Sequence, residues 1–141
     1  MLPDELTDQG PREHSVRAEE DLLSARHAVR ASAVAVGFTI VDQTKIVTAA
    51  SELVRNAYIH GGGGTMTIAV VRDERGRAGL RLTVRDKGPG IADVDQAMTD
   101  GFSTGAGLGH GLGGTRRLVD EFAIDTAPGL GTTVTIVRWK P

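Results

Sequence analysis

Residues 66–86 read MTIAVVRDERGRAGLRLTVRD. Two β-rich runs, 66–72 and 80–86, flank the turn chemistry Asp73-Glu74-Arg75-Gly76-Arg77, so the chain is expected to double back here as an antiparallel hairpin. Upstream the period changes from two to between three and four. Leu22, Ala25, Val29, Ala33 and Val36 predict one face of a helix closed by Gly37. A second helix is expected over 42–59, N-capped by Asp42, with Ile46, Ala49, Leu53 and Ala57 on its buried stripe and the glycines at 61–64 ending it. Residues 14–18 have the makings of a short strand. Residues 1–13 carry Pro3, Pro11, Gly10 and the acids Asp4, Glu5, Asp8 and Glu13 without an apolar period, and are expected to form a disordered tail outside a single domain at 14–141.

Downstream of the hairpin, 87–114 is glycine-rich and broken only by a short helical stretch at 94–98. A helix is expected to start at Gly113 or Gly114 and run through Thr115, Arg116, Leu118 and Val119 to about Phe122. Two closing strands, 123–126 and 133–139, turn at Pro128-Gly129. Helices first and antiparallel strands afterwards argue for a two-layer α/β sandwich rather than a doubly wound parallel sheet.

The composition narrows the function. A chain of 141 residues, 40% hydrophobic and 24% charged, supports one core and not two. Its net charge of −2 offers no broad positive field for nucleic acid or anionic lipid, so neither is expected as a partner. The absence of cysteine removes disulfides, thiolate zinc sites and cysteine nucleophiles. With no apolar run of membrane-spanning length and no leader pattern, a cytoplasmic protein is expected. Glycine is the outlier: there are 19, and all but Gly10 and Gly37 lie after residue 60. Such clustering points to backbone that turns sharply or approaches a ligand.

Four constellations could carry chemistry. Glu52 and Asn56, four residues apart, project from one helix face and could share a cation or a water; by themselves they also fit a solvated face. His60 lies one turn further, where helix-end capping is the simpler role. Asp86-Lys87-Gly88-Pro89-Gly90-Ile91 fixes an acid at a strand end and follows it with two glycines that let backbone pass close to a flat or phosphorylated ligand. Residues 105–113, GAGLGHGLG, lead into a helix and could surround phosphate oxygens with peptide N–H groups. The stretch is no P-loop, since it lacks the G-x-x-x-x-G-K-[ST] lysine, and no strand directly precedes it. Gly129-Leu130-Gly131-Thr132-Thr133 then opens the last strand; its threonine hydroxyl could reach an adenine or a water, and equally a β-branched residue simply begins a strand.

E-x-x-x-N on a helix, D-x-G-x-G after a strand, a glycine-rich lid and G-T before a strand, in this order, resemble the GHKL ATP-binding superfamily of gyrase, heat-shock chaperones, histidine kinases and MutL. The runs VDQTKIVTAASELVRN (41–56), DKGPGI (86–91), DGFSTGAGLGHGL (100–112) and RRLVDEF (116–122) are similar to the anti-sigma-factor serine/threonine kinases, in particular their stressosome switch-kinase branch. The resemblance spans roughly residues 18–139. It implies a mixed, mainly antiparallel sheet with helices on one face, and ATP and Mg²⁺ as cofactors. It further implies Glu52 as the general base or orienting carboxylate for the acceptor hydroxyl, Asn56 as the Mg²⁺ ligand and Asp86 as the acceptor for the adenine amino group. Gly88 and Gly90 would admit the nucleotide, and Thr132 would hydrogen-bond near the adenine. Gly105, Gly107, Leu108, Gly109, His110, Gly111 and Leu112 would form the lid over the phosphates. With no Lys or Arg in the lid, phosphate charge would fall to Mg²⁺, backbone N–H groups, His110, Arg116 or Lys87. Implied partners are STAS-domain antagonist and scaffold proteins, which would be phosphorylated, and a PP2C-type phosphatase, which would be bound and activated on release. A nucleotide-gated binding module, or an anti-sigma factor holding a sigma factor directly, is the alternative.

Overall fold

The computed structural model describes residues 10–98 and 111–141. The described elements are β1 (Arg12–Val16), α1 (Glu19–Val36), α2 (Ile40–Ile59), β2 (Gly64–Arg72), β3 (Ala78–Asp86), α3 (Val94–Ala97), α4 (Leu112–Arg117), β4 (Glu121–Thr126) and β5 (Thr132–Trp139). The five strands form one sheet in the order β1-β2-β3-β5-β4, and all four pairings are antiparallel. The expected hairpin is β2–β3, in register from Gly64 opposite Asp86 to Arg72 opposite Ala78.

Alternation along the strands decides which face is buried. Val16, Met66, Ile68, Leu80, Leu82, Val84, Val134 and Ile136 are buried in one cluster with Ala25, Val29, Ala33, Ile46, Leu53 and Ala57 of α1 and α2. The expected stripe of α2 is therefore wholly in the core. On α1, Ala25, Val29 and Ala33 are buried while Leu22 and Val36 pack at the margin. Burying a side chain such as Leu53 or Ile46 contributes about 1.5–3 kcal/mol, so this layer contact supplies most of the driving force for folding.

The helix ends follow from local chemistry. Ahead of α1, the Asp21 carboxylate accepts the backbone N–H groups of Arg17 and Ala18 at 2.8 and 2.9 Å, which hold its pKa below the usual carboxylate value. Gly37 closes α1 in the left-handed region, at φ 99°, as expected. The start of α2 differs from expectation. Thr39, not Asp42, is the N-cap, and its hydroxyl accepts the Asp42 N–H at 3.2 Å while donating to Asp42 Oδ2 at 2.9 Å. Both residue types can cap; the left-handed turn at Gly37 brings the chain into helical geometry three residues sooner. That frees the Asp42 carboxylate to pair with Arg138 of β5, whose other terminal nitrogen donates to the Leu118 carbonyl at 2.9 Å.

The helix expected to reach Phe122 ends instead at Arg117, and it begins at Leu112, ahead of the expected Gly113 or Gly114. Asp120 N–H donates to Val137 O at 2.9 Å, and Phe122 pairs with Ile136 inside β4. The spacing of Leu118, Val119 and Phe122 suits a helix locally, but the open edge of β5 offers a complete ladder and takes the chain first. At the other end, β1 runs over Arg12–Val16 rather than 14–18, so Arg12 and Glu13, expected in the tail, belong to the sheet because the edge of β2 pairs them with Ile68 and Thr67.

Asp42 joins the start of α2 to β5, and the Arg138 guanidinium is the main cause holding its pKa below 3.8. A depressed folded-state pKa contributes stability that is complete above the unfolded value and is lost as pH falls through the folded value. Asp42→Asn is therefore expected to cost about 2 kcal/mol in denaturant unfolding near neutral pH. The gap from wild type should narrow as pH drops below 3.8, because acid removes the same charge from the wild type.

Candidate functional site

The sandwich opens at one end of the sheet. There α2 finishes, β3 ends at Asp86 and β5 begins at Thr132. Cross-strand register places Gly64, Asp86, Thr132 and Thr126 in one row from β2 to β4. Residues in such a row project on the same side, here toward the helix layer. A pocket of about 420 Å³, counting its mouth, opens above this row. Its apolar lining includes Leu53, Ala57, Val84, Ile91, Leu112 and Val134, and its polar lining is Asn56, His60, Asp86 and Thr132. An apolar slot with a few convergent polar groups suits a flat heteroaromatic ring.

Asp86 is half-buried at the centre of the site. Its Oδ1 accepts the Gly88 N–H at 2.9 Å. Backbone crowds it closely: a β-carbon on Gly61 would lie 2.4 Å from Asp86 Cγ, and one on Gly131 would lie 2.2 Å from the Asp86 carbonyl oxygen. Any other residue at either place would push the acid or its strand aside. Gly88 packs on Gly61 rather than lining the pocket, since its β-carbon would lie 2.5 Å from Gly61 Cα. Gly90 lines the pocket at φ 76° and passes close under the Ala127 carbonyl.

The structure thus brings together Asn56, Asp86, Gly90, Leu112 and Thr132 of the expected set. Glu52 stands beside the pocket, one helical turn from Asn56, with Gly111 against it. A β-carbon at Gly111 would lie 2.6 Å from Glu52 Oε2, so the carboxylate sits where the chain enters α4. Gly105, Gly107, Leu108, Gly109 and His110 lie outside the described residues. Lys87 and Arg116 do not line the pocket; Lys87 borders a separate groove with Arg17 and Arg85. His60 is both the C-cap of α2 and part of the lining, which joins the capping role expected for it to a place in the site.

Sequence reasoning missed Gly61 as a site residue and treated it only as a helix terminator. It also missed Thr126, whose hydroxyl lies 2.9 Å from both Ile91 N and Thr132 Oγ1. The four-glycine run was a usable signal for the first; the second has none in linear sequence.

Magnesium was expected from the sequence, and the donor set can be tested against it. Among the described residues, no cluster of three or more His, Asp and Glu side chains could hold a metal by itself. Mg²⁺ characteristically takes one or two protein oxygens and completes its shell with phosphates and water. Asn56, half-buried at the pocket wall with the Glu52 carboxylate a turn away, fits that arrangement.

Comparison with known proteins agrees with this geometry. Residues 41–141 match the family described as histidine kinase-, DNA gyrase B-, and HSP90-like ATPase. The chain is 45% identical over 124 residues to the serine/threonine-protein kinase RsbT of Bacillus subtilis, covering 88% of this chain and 92% of that protein. It is 35% identical over 121 residues to the anti-sigma F factor of Bacillus licheniformis, covering 81% of each. Among solved structures, the RsbU and RsbW domains of Rv1364c from Mycobacterium tuberculosis superpose with a TM-score of 0.59 at 23% identity, over 92% of this chain and 32% of that one, a likeness of fold. An Asp86-centred pocket between α2 and the strand ends, on a sheet with helices on one face, and a match across 41–141 together place this chain in the histidine kinase-, DNA gyrase B- and HSP90-like ATPase family, among the relatives of RsbT and the anti-sigma F factors.

Proposed function

We propose that this ATP-dependent serine/threonine-protein kinase phosphorylates a STAS-domain antagonist or scaffold protein in a partner-switching pathway, and that on release it binds and activates a PP2C-type phosphatase. The observation that carries the reading is the convergence of Asn56, Asp86 and Thr132 on one apolar slot in a chain 45% identical to a serine/threonine-protein kinase. Asp86 presents its second carboxylate oxygen to the base, the first being taken by Gly88 N–H. Asn56 would supply one oxygen to Mg²⁺, which when bound neutralises charge on the phosphates. The Glu52 carboxylate accepts the proton of the serine or threonine hydroxyl as that oxygen attacks the γ-phosphorus and the bond to the β-phosphate oxygen breaks.

The pocket lining has no Lys or Arg among the described residues, so phosphate affinity would rest chiefly on Mg²⁺. ATP binding is therefore strongly magnesium-dependent. No described helix is long and apolar enough to cross a membrane. The 35% identity to an anti-sigma F factor supports a second reading, in which the chain holds a sigma factor directly. Co-purification with a sigma factor rather than with a phosphatase would favour it.

Phosphosite mass spectrometry on STAS-domain proteins mixed with this protein and Mg-ATP tests the main reading. Serine or threonine phosphate is expected with the wild type and is expected to fall about 100-fold or more with Glu52→Ala, while partner docking persists. ATP binding without phosphate on any acceptor would leave a nucleotide-gated docking module in its place. For the base contact, Asp86→Asn can keep the Gly88 bond through its amide oxygen but turns an N–H₂ toward the adenine amino group. ATP affinity in calorimetric titration is expected to drop roughly tenfold to 100-fold, with the melting temperature little changed. Unaltered affinity would remove Asp86 from the site.

A further inference from the structure

The Thr126 hydroxyl is saturated with neighbours. It lies 2.9 Å from Ile91 N, 3.0 Å from Gly131 O and 2.9 Å from Thr132 Oγ1. A threonine hydroxyl has one proton to give and two lone pairs to offer. The Ile91 amide can only donate and the Gly131 carbonyl can only accept, so Thr126 spends its proton on Gly131. The remaining contact then has one consistent direction: Thr132 donates to Thr126. With its own proton turned away along the sheet, Thr132 offers lone pairs alone to the pocket it lines. Thr126 itself is absent from the pocket lining and acts one strand behind it, in the same cross-strand row.

We propose that Thr126 is a positioning residue for nucleobase selection, holding Thr132 as a hydrogen-bond acceptor so that the pocket favours a base edge bearing an amino donor over one bearing a carbonyl. This rests on the assignment of the Asp86–Thr132 pocket to the base. Both polar groups at its sheet edge then have the same sign, because Asp86 Oδ1 is taken by Gly88 N–H and Oδ2 is also an acceptor. The hydroxyl also ties down the frame. Its bonds to Ile91 and Gly131 join the loop after β3 to the turn before β5, which are further joined by Gly129 N–H donating to Pro89 O at 2.7 Å.

The test compares binding of ATP and inosine triphosphate, which replaces the 6-amino donor with a 6-oxo acceptor. Thr126→Val keeps the shape of the side chain and removes the hydroxyl, so the Thr132 proton can rotate into the pocket. The preference for ATP over inosine triphosphate is expected to fall roughly fivefold to tenfold. Thr126→Ser should restore it to within about twofold of wild type, since the hydroxyl returns. In a Thr132→Val background, Thr126→Val should leave the ratio unchanged, because the group it acts through is gone. Equal loss of both nucleotides in Thr126→Val, or an undiminished effect without Thr132, would reduce Thr126 to a scaffold residue and overturn the inference. Failure of the pocket assignment is separately visible: Asp86→Asn would then leave ATP affinity untouched.

Discussion

Everything at the open end of this sandwich depends on how closely backbone is allowed to approach Asp86. The acid ends β3, and it is enclosed by Gly61 from the helix side and Gly131 from the turn before β5. At both places a single methyl group would overlap the acid or its carbonyl by more than an ångström of contact distance. The consequence is a carboxylate held at fixed depth in the pocket lining, with one oxygen engaged by Gly88. The glycine richness of the second half of the chain is, at this end of the sheet, a packing requirement rather than a sign of looseness.

The second constraint lies at the opposite edge of the helix layer. Asp42 and Arg138 clamp the first turn of α2 to β5, and Thr39 orients the Asp42 carboxylate for that pairing. Since α2 carries both Glu52 and Asn56, its seating on the sheet sets where these two side chains lie relative to Asp86. A helix anchored by an ion pair at its start and by close-packed Leu53 and Ala57 near its end has little freedom to slide. The geometry of the candidate site and the stability of the fold are therefore coupled through one element.

The candidate site residues divide by how far the sequence could take them. Asp86, Asn56 and Thr132 stand out because each belongs to a short, ordered motif, and motifs survive in linear sequence. Glu52 is legible as a partner of Asn56 by helical spacing, but its contact with Gly111 is not, since some sixty residues separate them. The N-cap of α2 was misplaced because Thr39 and Asp42 are both competent caps, and the choice is made by the turn at Gly37. The length of α4 was overestimated because the pattern of Leu118, Val119 and Phe122 cannot register that the edge of β5 is open to pairing.

Element types, the antiparallel hairpin, the two-layer architecture and the family motifs were determined by the sequence alone, since periodicity and turn chemistry act over a few residues at a time. The meeting of Thr126 with Ile91, Gly131 and Thr132, of Gly61 with Asp86, and of Asp42 with Arg138 was decided only in the tertiary structure. Strand register and helix seating set those contacts, and both come from the summed burial of one face of the sheet against two helices. That sum is a property of the whole domain and is written in no single stretch of it.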